Sequence, residues 1–300
     1  MTSGHRTRPA DPSSSLELPR PIAFVFSGGA SSGALHVGML QAVEAYGIEP
    51  DIVVGTSVGA LHGAVVAGEV DGAGSRLARI WHRLERADIF PTPGWRQLSS
   101  LLRSGRHLFS PIALAGLVRE HKPGERLEHL AVPIGIVVTD ASTGRAHSLT
   151  HGPIEPALMA STAIPGVFPR VPIGGRSYMD GGVAANVPVR QAVAMGAASL
   201  LLLDATGTPE NRDAPSNIAQ TFVQLAGLVL RRQLERDLRE LGPTMPVVHL
   251  RAERSLDLSP FDFSRTGDLI ALGYRSALNT LAAARRELTD DAESAALLLS

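Results

Sequence analysis

"IAFVFSGGASSGALHVGML", residues 22–40, passes from five apolar residues through a run of small ones into a segment of helical pattern. A near-continuous apolar run is the mark of a strand covered on both faces. The small residues Gly28 to Gly33 turn the chain, and strand, tight turn and helix together are the unit from which helix-covered parallel sheets are built. Four more apolar runs follow: DIVVG (51–55), VPIGIVV (132–138), ASLLLLD (198–204) and MPVVHL (245–250). Helical patterns separate them at 33–46, 58–67, 75–86, 111–120 and 188–195. The expectation is an α/β fold with a mainly parallel central sheet flanked by helices.

The stretch 88–110 carries prolines, Trp95 and several arginines and reads as an excursion from that sheet. Segment 215–241 is an amphipathic helix with Leu234, Leu238 and Leu241 at i, i+4 and i+7, suited to packing on the core or to a homo-oligomer face. Residues 264–298 are expected to be helical too. Without an internal repeat or a linker, residues 21–300 are read as one domain. Residues 1–20, rich in Pro, Ser and charge and without the apolar core of a secretory signal, are read as a disordered tail on a cytoplasmic chain.

Composition removes several function classes. With 300 residues, 44% hydrophobic and 19% charged, the chain can bury a core, yet it has no run approaching the ~18 apolar residues of a membrane span. Zero cysteines exclude disulfides, thiolate metal ligands and a thiol nucleophile. A net charge of −1 without a basic stripe gives nucleic acid no grip. Lys122 is the sole lysine, so a phosphate loop ending in Gly-Lys-Ser/Thr is ruled out. A dinucleotide fingerprint fits poorly: Ala30 stands at its third glycine, and Asp51 begins the second strand instead of ending it.

Gly-x-Ser-x-Gly occurs twice, at Gly29-Ala30-Ser31-Ser32-Gly33 and at Gly55-Thr56-Ser57-Val58-Gly59. Both fall between strand and helix, where flanking glycines let a serine project from a sharp turn. An attacking serine also needs backbone N–H donors for the developing oxyanion, one from the residue after it and one from a loop following an earlier strand. For Ser57, the loop Gly28-Gly29-Ala30 is that earlier loop; for Ser31 no earlier strand exists. Ser57 is therefore preferred as nucleophile. A Gly-rich turn that serves only close packing is the bland alternative for either segment.

A serine needs a base, conventionally a histidine steered by a carboxylate. Of ten histidines, His36 and His62 fall in predicted helices, His107, His147 and His151 in connections, and His249 at a strand end, where it is the candidate base of a triad. Asp180 offers another route: Tyr178-Met179 reads as a short strand, and Gly181-Gly182 turns the chain sharply behind the carboxylate. Alone, Asp-Gly-Gly is a turn. Beside a serine elbow it can act directly on the hydroxyl, provided desolvation raises its pKa, as an apolar, lipid-facing pocket would.

Four blocks in order, SGGASSGALHVGML (27–40), VGTSVGAL (54–61), ASTAIPGVFPRV (160–171) and YMDGGVAANVPV (178–189), resemble the patatin-like phospholipases over about residues 22–205. GIVVTDASTGRAHSLTHGPI (135–154) is similar to smaller bacterial members. The resemblance implies a three-layer sandwich and a Ser–Asp dyad that hydrolyses lipid acyl esters through an acyl-enzyme. It makes Ser57 the nucleophile, Asp180 the base, and the backbone of Gly28, Gly29 and Ala30 the oxyanion hole. Gly33, Gly55, Gly59, Gly181 and Gly182 are the motif glycines. The resemblance calls for no metal or organic cofactor. One departure stands out: the family's glycine loop usually reads Gly-Gly-Gly-x-Arg/Lys-Gly, and here Ala30 and Ser32 replace the third glycine and the basic residue. These two changes raise a second reading, a weakly active or inactive regulatory protein that keeps the fold. Trp95, with Phe90, Leu98, Leu101, Leu102, Arg103, Arg106 and Phe109, forms a candidate interfacial flap for peripheral membrane contact; a helical hairpin packed over the sheet is its ordinary alternative.

Overall fold

The computed structural model describes residues 16–90, 108–206, 218–253, 259 and 261–297. In chain order the elements are β1 (Ile22–Phe26), α1 (Ala34–Ala45), β2 (Ile52–Thr56), α2 (Val58–Gly68), α3 (Ala73–Trp81), α4 (Arg86–Ile89), α5 (Ile112–His121), β3 (Ile134–Asp140), β4 (Ala146–Leu149), α6 (Ile154–Ser161), β5 (Val171–Ile173), β6 (Arg176–Asp180), α7 (Gly182–Ala185), α8 (Val189–Ala194), β7 (Ser199–Asp204), α9 (Ile218–Leu241), β8 (Val247–Arg251) and α10 (Thr266–Leu297).

The sequence expectation of strands covered on both sides holds residue by residue on β1 and β7, whereas β8, last in the strand order, alternates half-buried and buried positions and ends on exposed Arg251. On β1, Ile22, Phe24 and Phe26 belong to one hydrophobic cluster and Ala23 and Val25 to another. On β7, Leu201 and Leu203 join the first cluster and Leu200 and Leu202 the second. Successive strand side chains alternate faces, so a sheet with a core on each side reads as unbroken apolar sequence. Helices α1, α2, α3, α5, α6 and α10 contribute to the first cluster and α7, α8 and α9 to the second, which makes three layers. The apolar stripe of α9 packs on the core, with Leu234 buried and Leu238 and Leu241 against the second cluster.

Strand order is β5-β6-β3-β2-β1-β7-β8, with β4 also on β3. The strands β1, β2, β3, β7 and β8 are parallel, whereas β4 and β6 run antiparallel to β3. Val137 pairs with both Thr56 and Ser148, and Val138 with both His147 and Asp180. A strand residue has one partner per edge, so β4 holds one edge of β3 while β2 and β6 share the other, end to end. The last residue of β2 thus lies one position from the last residue of β6.

Several elements differ from the sequence expectation. The single helix expected over 75–86 is α3 followed by the separate short α4. The strands β4 and β5 and the helix α6 have no counterpart in the apolar pattern, because β4 and β5 carry no fully buried residue and Pro156 stands in the first turn of α6, where its missing N–H is tolerated. The tail expected through residue 20 is packed from Leu16 onward: Leu16 and Leu18 are buried in the first cluster, Ser199 Oγ donates to the Pro19 carbonyl, and Arg20 pairs with Asp51. Residues 1–15 lie outside the described residues.

Helix α1, which carries the glycine loop at its head, lies against α10 at backbone contact. A Cβ on Gly38 would overlap the Ile270 carbonyl oxygen, and one on Gly273 the Leu35 carbonyl oxygen. Gly38→Ala and Gly273→Ala are each expected to cost at least ~1–3 kcal/mol by forced overpacking. Gly116→Ala, in α5 with nothing within 4 Å of the added carbon, is expected to be neutral or to gain up to ~1 kcal/mol. Urea denaturation of the three variants checks the order.

Candidate active site

Ser57 occupies the turn between β2 and α2 with φ 56 and ψ −125. Among the described residues only Ser57 and Ala30 are non-glycine residues with positive φ. Such backbone costs on the order of 1–3 kcal/mol and persists only where surroundings enforce it. The enforcement is close backbone approach: a Cβ on Gly55 would overlap the Gly59 carbonyl, and one on Gly59 would overlap the carbonyl oxygens of Ser27 and Phe26. The turn is also held from the side, since Ser57 N–H donates to Ser161 Oγ (2.9 Å), which itself donates to the Val137 carbonyl (2.6 Å).

Because β2 and β6 meet on one edge of β3, the side chains of Ser57 and Asp180 come together across 123 positions of sequence. Ser57 Oγ donates to Asp180 Oδ2 at 2.7 Å, and Gly182 N–H donates to Asp180 Oδ1 at 2.7 Å. Both residues are buried, at 8% and 6% exposure. Burial pushes the Asp180 carboxyl up to about 6, against the opposing pull of the Ser57 hydroxyl and the Gly182 N–H. The segment after Asp180 is tied to its neighbours by buried hydrogen bonds: Thr139 Oγ1 to the Asp180 carbonyl (2.8 Å), Thr56 Oγ1 to the Ala185 carbonyl (2.9 Å) and Gly28 N–H to the Asn186 carbonyl (2.9 Å).

That last bond revises the expected oxyanion hole. The Gly28 N–H is already spent on Asn186, whereas the N–H groups of Gly29 and Ala30 make no hydrogen bond among the described residues. Val58 N–H heads α2, where the first turn has no acceptor inside the helix. Ala30, Ser57 and Val58 all line one apolar cleft that runs past Leu61, Val65, Leu84, Phe90 and Val118. Ala30 takes φ 50, a left-handed conformation that costs an L-residue ~1–2 kcal/mol and glycine almost nothing.

The alternatives fall elsewhere. Ser31 Oγ donates to the Ser259 carbonyl and makes no hydrogen bond to a carboxylate among the described residues. His249 Nε2 contacts Asp204 Oδ2 at 2.9 Å on the far side of β1, so it pairs with a different carboxylate. Of the candidate flap, Phe90 is buried, stacked on Phe168 and edge-to-face with Phe109 and Phe261; Phe90 thus packs into an aromatic cluster with the half-buried Phe109. Trp95, Leu98, Leu101, Leu102, Arg103 and Arg106 lie outside the described residues. Among the described residues there is no group of three or more His, Asp or Glu placed to hold a metal ion, and no helix long and apolar enough to cross a membrane.

Comparison with known proteins identifies the family of the domain that carries this site. The family model described as "Patatin-like phospholipase" matches residues 24–193. The chain belongs to the patatin-like phospholipase family. An uncharacterized NTE family protein of Mycobacterium tuberculosis is 28% identical over 209 residues, covering 67% of this chain and 54% of that protein. Human patatin-like phospholipase domain-containing protein 6 is 30% identical over 197 residues, 64% of this chain and 14% of that protein. The chain thus spans about half of the mycobacterial relative and about a seventh of the human one. VipD of Legionella pneumophila, known from a crystal structure, aligns over 88% of this chain and 67% of its own with TM-score 0.48 and 14% identity.

Within this patatin-like domain, sequence reasoning did not single out Ser161 or Asn186. Both stand inside family blocks, in ASTAIPG and in DGGVAANVP, but their contribution is a hydrogen bond to distant backbone, which spacing does not reveal.

The raised Asp180 pKa makes a stability prediction. Between the ordinary carboxyl value and about 6, the folded state binds more protons than the unfolded chain, so stability falls as pH rises through that window and is flat above it. Asp180→Asn removes the buried charge and is expected to unfold later than wild type at pH 7–8, by on the order of 1–3 kcal/mol. The gap is expected to close near pH 4, read by denaturant titration at both pH values.

Proposed function

We propose that this protein is a serine lipid acyl hydrolase of phospholipase A, lysophospholipase or esterase type, working through a Ser57–Asp180 dyad without histidine. The observation that carries the reading is the 2.7 Å hydrogen bond from Ser57 Oγ to a buried carboxylate held near pKa 6. An ordinary aspartate is too weak a base for a serine; one destabilised by burial and still ionised at neutral pH is better matched to the proton it must take.

In this mechanism an acyl chain enters the apolar cleft and its ester carbonyl sits against Ser57. Ser57 Oγ attacks the carbonyl carbon as its proton passes to Asp180 Oδ2. The oxygen that becomes negative is received by the N–H groups of Gly29, Ala30 and Val58. When the intermediate collapses, Asp180 returns the proton to the departing alcohol and an acyl-Ser57 ester remains. Water then attacks that ester as Asp180 takes its proton, and when the second intermediate collapses Asp180 gives that proton to Ser57 Oγ and the fatty acid leaves. No step needs a metal or an organic cofactor, and the largely apolar lining of the cleft suits the acyl chain of the ester.

The patatin-like family membership supports lipid hydrolysis in general, and the name of the human relative carries the word phospholipase. Contact with a lipid surface, a cytoplasmic location and any homo-oligomer belong to this proposal as its context.

Activity on p-nitrophenyl esters and phospholipids is expected to fall at least ~10³-fold in Ser57→Ala and in Asp180→Asn. In wild type, kcat/KM is expected to rise with pH to half its plateau near 6, because only ionised Asp180 accepts the proton. Hydrolysis surviving in both variants, or a profile flat from pH 5 to 8, would remove the dyad.

A further inference from the structure

A second polar chain lies buried beside the glycine loop. Trp81 Nε1–H donates to His62 Nε2 at 2.7 Å. The Nδ1 atoms of His62 and His36 are 3.2 Å apart, His36 Nε2 is 3.3 Å from Ser27 Oγ, and Ser27 Oγ donates to the Gly28 carbonyl at 2.9 Å. Ser27 and His36 are fully enclosed and His62 is 3% exposed. Three polar side chains in a core need a full set of partners, and here the partners impose one direction.

Trp81 can only donate, so His62 Nε2 must accept. Burial holds the pKa of His62 well below its usual value and that of His36 at about 4, so each ring carries one proton. That of His62 is therefore on Nδ1 and donates to His36 Nδ1. His36 then carries its proton on Nε2, facing Ser27 Oγ. Ser27 Oγ thus accepts from His36 and from Ala205 N–H (2.9 Å), and its own proton is left for the Gly28 carbonyl.

The Gly28 carbonyl and the Gly29 N–H belong to one trans peptide and point in opposite directions. Anchoring the carbonyl inward on Ser27 fixes the N–H outward. The peptide before it is anchored too, by Gly28 N–H on the Asn186 carbonyl. We propose that the buried Trp81–His62–His36–Ser27 chain is a positioning device that locks the Gly28–Gly29 peptide with its N–H toward the substrate oxyanion. These four are positioning residues: none has to touch the reacting atoms. The inference rests on the serine hydrolase reading above and adds to it the reason why the glycine loop holds one orientation. Trp81 and His62 also line the acyl cleft, so a chain seated there presses on the first link.

Two experiments bear on it. In 15N-histidine-labelled protein, two-bond correlation spectra assigned with His36→Gln and His62→Gln are expected to give His62 protonated at Nδ1 and His36 at Nε2, both neutral from pH 5 to 8. The reverse tautomers would turn the Ser27 hydroxyl away from Gly28 and overturn the proposal, whatever the activity. In kinetics, Ser27→Ala and His36→Leu are expected to lower kcat about 10-fold or more, part of the ~10²–10³ lost when an oxyanion donor is deleted, with KM within about twofold. His36→Gln, whose side-chain amide N–H reaches toward Ser27 as Nε2–H does, is expected to recover most of kcat. Ser27→Ala with unchanged kcat in an enzyme that Ser57→Ala inactivates would overturn this inference alone. A wild-type chain inert on every ester would sink the hydrolase reading, and this one with it.

Discussion

The hydrogen bond between Ser57 Oγ and Asp180 Oδ2 joins two parts of the chain that meet only because β2 and β6 abut on the same edge of β3. Thr56 ends one strand against Val137, and Asp180 ends the other against Val138. A shift of either strand by one residue would turn its last side chain to the opposite face. The hydrogen bonds of Thr56, Thr139, Ser161 and the Asn186 carbonyl bind the ends to each other and to the glycine loop, so the contact is fixed by the sheet itself.

The site is held against its own preferences. Ser57 and Ala30 sit at positive φ, and a buried carboxylate is met, among the described residues, by one hydroxyl and one N–H. Each feature costs stability, and close backbone approach at Gly55 and Gly59 keeps the serine turn from relaxing. A protein selected only for folding would place asparagine at 180 and glycine at 30. Stored strain and a destabilised charge at one place are the pattern of a working site.

Much of this was legible in the sequence because the relevant signals are local. The apolar runs located β1, β2, β3, β7 and β8; the two glycine patterns located the loops; and strand order upstream of Ser57, absent upstream of Ser31, chose between the two serines. The region around β3 was less legible. Half-exposed β4 and Pro172 in β5 give no apolar pattern, although β6 delivers Asp180. Ser161, Asn186 and the His36–His62–Trp81 chain were invisible for another reason: each acts by reaching across elements, and one sequence records no such distances. The glycine loop was read as three equivalent donors, and only the fold shows the Gly28 N–H already engaged. Phe90 was read into an interfacial flap because aromatic and cationic residues mingle over 88–110, whereas in space it packs against Phe109, Phe168 and Phe261.

The central claim is that Asp180 activates Ser57 for attack, and covalent capture tests it most directly. Wild-type protein incubated with a fluorophosphonate at pH 7.5 and analysed by peptide mass spectrometry should carry one adduct, on Ser57, while Asp180→Asn, folded and at equal concentration, should remain unlabelled over the same interval. An adduct on Ser31 or another serine, or labelling of Asp180→Asn at the wild-type rate, would contradict the account.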